Sequence, residues 1–226
     1  MTGLTVLTGP IAPLPGSDQL SGIAKARVSV PLMLGPQGFA GDRQADLRVH
    51  GGVEKAVHHY PRDHYAVWRD QIGNHPLLDA PGAFGENLSV AGLTEAEVAV
   101  GDIFRLGEAL VQVSQGRQPC WKLNHRFGVS DMARRVQASG RTGWYYRVLQ
   151  PGLVSPGEGL ELIDRIAPDW TIRRLWQAMY IDRMNLDDLA RMAALEVLAE
   201  SWRRHAARRV ASGQVEDWQL RLEGAR

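Results

Sequence analysis

The 226-residue sequence contains one cysteine, Cys120, which excludes an internal disulfide. A lone thiol fits a reducing compartment, and we expect the protein to be cytoplasmic. No apolar run approaches the ~18 residues that a membrane-spanning helix needs. The first residues also lack the basic segment and long apolar run of a signal peptide. The sequence therefore predicts neither a secreted nor a membrane protein.

The sequence also has no excess of either positive or negative charge. The chain has 26 Lys and Arg against 25 Asp and Glu, so the net charge of +1 provides no basic field for nucleic acid or an anionic membrane. Lysine itself is scarce, because only Lys25, Lys55 and Lys122 are present and the other cations are arginines. Arginine grips oxyanions with a two-pronged fork, which suits phosphate binding. Genomic base composition would produce the same excess of arginine.

The single thiol lies in residues 114–122, SQGRQPCWK. The alternating run 109–113 before it predicts a strand, and Gly116 and Pro119 predict that the stretch itself is a loop. Arg117 would place a cation near the thiol and favour the thiolate, the form that acts as a nucleophile or a metal ligand. The local alternative is a small buried apolar cysteine, the usual fate of a lone thiol.

A second unusual stretch, residues 38–52, is rich in glycine and charge and has no helical or strand period. Ordering such a segment costs conformational entropy, so an ordered version usually has a function. Its polar candidates are Asp42, Arg43, Asp46, Arg48 and His50. A solvated surface loop is the alternative, although paired glycines after residue 50 would let the backbone approach a ligand closely.

Two further positions offer ligand-binding chemistry. His58 and His59 are adjacent on a predicted strand, so they point to opposite faces and only one can face a shared site. Asn87 offers both donors and an acceptor, as a residue that binds a heterocycle would. A turn-forming asparagine is the equal alternative at that position.

The pattern of short apolar runs and Gly/Pro turns predicts a mainly β fold, a barrel or a sandwich, over residues 1–166. Strands are expected at 4–8, 23–30, 31–34, 55–60, 82–90, 98–106, 109–114, 143–149 and 159–163, with a hairpin at Gly107 and Glu108. Helices are expected at 63–72 and at 130–139, the latter with Ser130 as N-cap and Gly140 as C-cap.

Residues 167–226 form the second predicted domain, a helical appendage. Helices are expected at 171–180, 185–192 and 195–211, with Thr171 and Asn185 as N-caps and Gly213 as the last C-cap. In the third helix one apolar stripe predicts a core face, made of Leu195, Leu198, Trp202 and Ala206. Four arginines predict a solvated face, or alternatively a partner-docking patch: Arg203, Arg204, Arg208 and Arg209. Because the appendage is near the lower size limit for independent folding, we expect it to dock on the barrel or on another subunit, the latter in a homodimer.

Five motifs in order resemble the YiiM group of the MOSC-domain family, which is related to the C-terminal domain of molybdenum-cofactor sulfurase. They are GDRQADLRVHGG (41–52), KAVHHYPRDHY (55–65), FGENLSVAGLTE (84–95), GDIFRLGEALVQVSQGRQPCWKLN (101–124) and TGWYYRVL (142–149). SGIAK (21–25) is similar to the family's early strand, and residues 171–211 to its small three-helix domain. The resemblance covers nearly the whole chain.

The resemblance implies a MOSC β-barrel whose cleft binds the molybdenum cofactor, a pterin dithiolene with a terminal phosphate; pyridoxal phosphate is not expected. Cys120 would ligate molybdenum, in keeping with the preference of soft metals for thiolate. Asp46 and His50 are the candidates for handling protons or orienting the cofactor. The expected cofactor-binding residues are Lys25, Arg43, Arg48, His59, Asn87, Ser114, Arg117 and Gln118.

The same resemblance implies reduction of N-hydroxylated compounds, notably 6-N-hydroxylaminopurine and related base analogues. The sequence has no flavin or nicotinamide fingerprint and too few cysteines for an iron–sulfur cluster. Electrons would therefore come from a separate flavoprotein or ferredoxin-type reductase. Two alternatives remain at this stage. One is a carrier that holds the cofactor or a persulfide on Cys120 without turnover, and the other is a thiol hydrolase using Cys120 with His50 or His125.

Overall fold

The computed structural model describes residues 3–46 and 51–224. Two of the candidates, Arg48 and His50, lie outside the described residues. The strands are β1 (Thr5–Thr8), β2 (Ala12–Pro13), β3 (Leu20–Ser21), β4 (Ala26–Arg27), β5 (Leu32–Gly35), β6 (Gly38–Phe39), β7 (Val57–His59), β8 (Leu88–Ser89), β9 (Ile103–Leu106), β10 (Ala109–Gly116), β11 (Trp144–Gln150), β12 (Gly152–Val154) and β13 (Leu160–Asp164).

The main sheet has eight strands in the order β13-β9-β10-β11-β7-β8-β1-β4 and curls into a half-barrel. Its neighbours are antiparallel except β7 and β8, which are parallel. The hairpin predicted at Gly107 is confirmed, since Ala109 pairs with Leu106. Alternating apolar side chains of these strands, such as Val111 and Val113, fill the interior. The predicted mainly β architecture is therefore confirmed.

The strand β10 differs from its prediction in a way that matters for the thiol. It continues to Gly116, where the sequence predicted a loop, because Gln115 and Gly116 pair with Tyr145 and Trp144 across a bulge. A side chain at Gly116 would lie 3.2 Å from the Trp202 ring. Glycine therefore serves here to let a helix approach the strand closely, and the loop begins only at Arg117.

Three other predicted runs contain much shorter strands than expected. The run 23–30 yields only β4, the run 82–90 only β8 and the run 98–106 only β9. In the run 98–106 the Asp102 carboxylate accepts a hydrogen bond from the Ala99 amide at 2.9 Å and pairs with Arg165 at 2.8 Å. Gly101 beside it has a φ of +83°. These features make residues 98–102 a turn that the apolar pattern alone did not indicate.

The helices are α1 (His64–Ile72), α2 (Lys122–Phe127), α3 (Met132–Ser139), α4 (Ile172–Trp176), α5 (Leu186–Ala194), α6 (Glu200–Ser212) and α7 (Gln219–Glu223), with a π turn at Gln177–Ile181. The predicted cap at Ser130 is wrong, because the Asn124 side chain from α2 accepts the bond from the Ala133 amide at 2.8 Å. Leu195 ends α5 instead of opening α6, and α7 was not predicted. None of the helices in the described part of the chain has the length and apolarity of a bilayer crossing.

The caps predicted in the helical region are confirmed. The side chains of Thr171 and Asn185 accept hydrogen bonds from backbone amides three residues on, at 3.1 and 3.2 Å. Gly213 follows α6 with a φ of +65°. These positions were predictable because capping depends on local sequence only.

The helical region docks on the half-barrel. Docking on the barrel was one of the two predicted arrangements, and docking on another subunit was the other. The Ala199 amide donates to the Ser114 carbonyl at 2.9 Å, and the Ile172 amide donates to the Val98 carbonyl at 2.8 Å. Trp202 also belongs to the same hydrophobic cluster as the sheet. The boundary between 166 and 167 stays a prediction.

Arg209 does not belong to a solvated face. It is almost wholly buried, binds Glu216 through two hydrogen bonds of 2.8 and 2.9 Å, and donates to the Met179 carbonyl at 2.8 Å. Burial acts to raise the pKa of Glu216, but the hydrogen bonds it accepts, chiefly from Arg209, outweigh burial and hold this pKa at about 2. The sequence did not indicate this buried role, because Arg209 lies among arginines of the same helix that are expected to be exposed.

We expect Arg209→Met to lower the free energy of unfolding by about 2 kcal/mol, because a carboxylate and a buried carbonyl lose their donors. The exposed Arg208→Met on the same helix is the control and should change little. Since the pKa of Glu216 is depressed, the stabilisation is present above pH ~4.5 and lost as pH falls towards ~2. The difference in the free energy of unfolding between wild type and Arg209→Met, measured with urea, should therefore become smaller as the pH falls through this range. An equal effect of the two substitutions would contradict this role.

Candidate functional site

The thiol loop opens onto a cavity of about 980 Å³. This volume is in the range of small-molecule binding sites. The loop supplies Gln118, Cys120 and Trp121, while Lys55 and Tyr145 come from the sheet side. Elements distant in sequence complete the wall, namely Asp18, Gln19, Leu20, Ala45, Asp46, Leu220 and Arg221.

A smaller recess of about 40 Å³ leads inward from this cavity. Both spaces are lined by Lys55, Cys120, Lys122 and Tyr145, so the thiol lies where they meet. Cys120 has a relative exposure of 9 %. Its side chain is thus shielded from bulk water but borders both the large cavity and the recess.

The surroundings of the thiol are cationic. Lys55 and Lys122 line both spaces, Arg117 lines the recess and Arg221 lines the large cavity. Burial lowers the pKa of Lys55, while the nearby Cys120 opposes this effect. Such a concentration of positive charge favours an anionic ligand.

Two buried polar atoms of residues that line the recess have no partner within the described part of the protein, the Nη1 donor of Arg117 and the Nε2 atom of His58. Burial, and secondly the Arg117 charge, hold the pKa of His58 well below its usual value, so the imidazole is neutral at pH 7. A buried polar atom without a partner is costly unless a ligand satisfies it. The recess is therefore shaped to receive polar atoms of a bound molecule.

Several predicted binding residues are occupied by structural hydrogen bonds instead. Ser114 donates to the carbonyls of Glu54 and Tyr145 at 2.6 and 3.1 Å. Asn87 lines the recess, but its side-chain amide already binds Leu7, Asp42 and His58 at 2.9 to 3.1 Å. All three partners are distant in sequence, so these contacts also differ from the local ones of a turn-forming asparagine.

The predicted phosphate contact Lys25 pairs with Asp42 at 2.5 Å, and both side chains are nearly buried. Burial lowers the pKa of Lys25, and the Asp42 carboxylate counteracts this effect. Arg43 is exposed and lines a separate outer cavity of about 550 Å³. Neither cation lines the two spaces beside the thiol.

The adjacent histidines separate as their alternation predicts, but the member that reaches the site is His58. His59 is fully buried, with Nδ1 3.0 Å from the Tyr146 hydroxyl and its ring 4.3 Å from that of Trp144. Burial lowers the pKa of His59 to about 3. The choice of His59 as the site histidine is therefore not supported by its position.

The structure brings together Cys120, Asp46, Arg117 and Gln118 as predicted, and adds residues that the sequence reasoning missed. Two of the chain's three lysines, Lys55 and Lys122, line the site, so the scarcity of lysine was itself a usable signal. Tyr145 lies in a motif already singled out, TGWYYRVL. Nothing local indicated Arg221, which lies about a hundred residues after the thiol.

Residues 46–161 match the MOSC domain, and residues 170–213 match the YiiM-like, 3-alpha helix domain. The fold is thus that of a MOSC-domain protein, and the chain belongs to this family. Protein YiiM of Escherichia coli (strain K12) is 44% identical over 219 residues, which are 97% of each chain. The crystal structure of YiiM from Escherichia coli has a TM-score of 0.84 and 38% identity over the structurally matched residues, covering 99% of this chain and 98% of that one.

A third relative carries a functional name. A protein of Gibberella moniliformis (strain M3125 / FGSC 7600) named a reductase is 36% identical over 181 residues. The match covers 80% of this chain but only 32% of the fungal protein. That name therefore describes a much longer protein.

The residues present fit the molybdenum cofactor that MOSC domains are associated with. The Cys120 thiol offers a soft ligand for the metal. Lys55, Lys122 and Arg117 offer charges for a phosphate. Arg117 lines the recess, and its Nη1 donor has no partner among the described residues.

We expect Arg117→Met to leave the melting temperature of the cofactor-free protein unchanged or higher, because it removes a buried charge with an unpaired donor. Affinity for inorganic phosphate should fall about tenfold, the loss of one charge-assisted hydrogen bond. Calorimetric titration measures this affinity, with the exposed Arg105→Met as the control. Unchanged phosphate binding in Arg117→Met would remove this residue from the anion site.

Asn87→Ala, unlike Arg117→Met, should destabilise the cofactor-free protein. Its amide joins three elements, so its loss should lower the free energy of unfolding by about 3 kcal/mol. Chemical denaturation of the cofactor-free protein measures this effect. A wild-type midpoint would show that the amide is available to a ligand after all.

Proposed function

We propose that the protein is a molybdenum-cofactor-dependent reductase of N-hydroxylated compounds, such as 6-N-hydroxylaminopurine and related base analogues. The single observation that carries the proposal is the position of Cys120 between a substrate-sized cavity and a cationic recess, where Arg117 and His58 each have a buried polar atom without a partner among the described residues. Membership of the MOSC-domain family and the reductase name of the fungal relative support an oxidoreductase.

The roles follow from the two spaces. Cys120 is the protein ligand of the metal, since a thiolate is a soft donor. Lys55, Lys122 and Arg117 hold the cofactor's phosphate, and the neutral His58 offers its Nε2 atom as a donor or an acceptor to the bound group. Burial of the thiol restricts the access of water to the metal position.

The large cavity receives the substrate. Trp121 and Tyr145 provide aromatic surface for a planar base, while Asp46 and Gln118 provide polar contacts. The bound cofactor would supply the two-electron chemistry of R–NHOH + 2e⁻ + 2H⁺ → R–NH₂ + H₂O. The Asp46 carboxyl group at the cavity wall is our candidate for taking up a proton from solvent and passing it to the leaving oxygen.

Electrons come from a separate protein, a flavoprotein or a ferredoxin-type reductase. The sequence has neither a nucleotide-binding glycine fingerprint nor the cysteines of a cluster. The proposed reductase therefore depends on an external donor, and a chemical donor can replace that donor in an assay.

We expect Cys120→Ala to retain the fold, because a thiol on a loop contributes little packing, and to lose both molybdenum and turnover. The protein should be expressed where the cofactor is made and analysed for molybdenum and pterin fluorescence. Reduction of 6-N-hydroxylaminopurine is then followed with reduced methyl viologen. Wild type should carry molybdenum near one equivalent, and Arg105→Met serves as the matched control.

Turnover by Cys120→Ala at the wild-type rate would exclude the ligand role. Wild-type protein that holds molybdenum but does not reduce any N-hydroxylated base would indicate a cofactor carrier. Alkylation-sensitive hydrolysis by protein without molybdenum would indicate a thiol hydrolase instead. The first result thus leaves the reductase but removes Cys120 as its metal ligand, and the other two reject the reductase in favour of a specific alternative.

A further inference from the structure

The short helix α7 contacts the thiol loop directly. The Trp121 amide donates to the Arg221 carbonyl at 2.8 Å, and the Asn124 side chain donates to the Leu222 carbonyl at 2.9 Å. Leu222 is buried in the cluster beneath α2 and α3. Residues 214–224 lie beyond the two matched domains, which end at residue 213. The contact therefore joins the thiol loop to a segment that neither domain includes.

Arg221 makes the closest connection. Its guanidinium donates to the Pro119 carbonyl, directly before Cys120 in the chain, and to Gln137 of α3 at 2.5 Å. It also lies 5.9 Å from the centre of the Tyr180 ring. Tyr180 in turn accepts a hydrogen bond of 3.0 Å from Gln118. One side chain thus fixes both the loop and the helix that faces it.

Leu220 stands on the exposed side of the same helix. It is 69 % exposed, yet it lines the large cavity together with Arg221 and Cys120. A residue that is both exposed and part of the cavity wall lies at the rim of the cavity, and the contacts of Arg221 and Leu222 hold the backbone of Leu220 there. An apolar side chain there restricts what enters without costing core stability when it is changed.

We propose that α7 is a specificity-determining rim of the substrate site, in which Leu220 limits the size of molecules that reach Cys120 and Arg221 is the positioning residue. The proposal rests on the proposed function for the identity of the substrate, N-hydroxylated aromatic bases. Its geometric part concerns access to the thiol alone and can be measured without cofactor.

The first experiment uses the cofactor-free full chain, whose single cysteine gives one labelling site. Alkylation rates are measured with iodoacetamide and with the bulkier N-phenylmaleimide, and their ratio reports the width of the mouth. Leu220→Ala should raise the maleimide-to-iodoacetamide ratio roughly tenfold, as pocket shape does in substrate discrimination, and Leu220→Trp should lower it. Gln219→Ala is the matched control, because this neighbour does not line the cavity.

Arg221→Met should raise the same ratio, since the rim is no longer held, and Arg221→Lys should restore part of the effect because it can still reach one acceptor. Arg134→Met is the control for α7, as Arg134 pairs with Glu223 at an exposed position away from the loop. Thermal melting of every variant establishes that it is folded. The proposal would be overturned if Leu220→Ala and Leu220→Trp had the same maleimide-to-iodoacetamide ratio as Gln219→Ala.

The second experiment measures kcat/KM of the loaded protein for N-hydroxylated purine and for a bulkier N-alkylated analogue. Leu220→Ala should favour the bulky substrate roughly tenfold relative to wild type. A shifted alkylation ratio in a protein without reductase activity would support the rim and reject the reductase. Turnover with unchanged substrate preference in Leu220→Ala would support the reductase and reject the rim.

Discussion

The Asp42 carboxylate is the constraint on which the site depends. It accepts hydrogen bonds from the Gly9 amide at 2.9 Å, the Lys25 ammonium at 2.5 Å and the Asn87 amide at 2.9 Å. Asn87 continues the network to the His58 amide at 3.1 Å. The segment that contains Asp42, just after β6, is thereby tied to residues next to β1 and β8. The wall of the recess is fixed because every charge in this network has a partner.

Satisfaction of hydrogen bonds distinguishes structural residues from binding residues around the thiol. Ser114 and Asn87 have partners within the protein, whereas one buried polar atom each of Arg117 and His58 has none among the described residues. All four side chains could bind polar groups of a cofactor. What differs is that a paired amide or hydroxyl would have to break existing bonds to bind a ligand, while the Nη1 atom of Arg117 would gain one.

The cavity is a joint product of the half-barrel and the helical region. Strand β10 carries the thiol loop, and α6 packs on its end where Gly116 admits the Trp202 ring. Gln118 reaches Tyr180 in the π turn, and Arg221 holds the carbonyl before Cys120. The helices therefore stabilise the conformation of the thiol loop in addition to covering the sheet, and both matched domains contribute contacts around the cavity.

The sequence by itself determined the elements whose causes are local: the hairpin at Gly107, the caps at Thr171, Asn185 and Gly213, and the loop that presents Cys120. It also indicated the family through five ordered motifs. Only the tertiary structure decided which polar residues face the thiol, because that choice depends on partners far away in the chain. Asp42 occupies Lys25, α7 brings in Arg221 from about a hundred residues away, and strand alternation turns His58 instead of His59 towards the recess. Local propensity carries no information on such long-range pairings, since they arise from packing and from the satisfaction of buried polar groups.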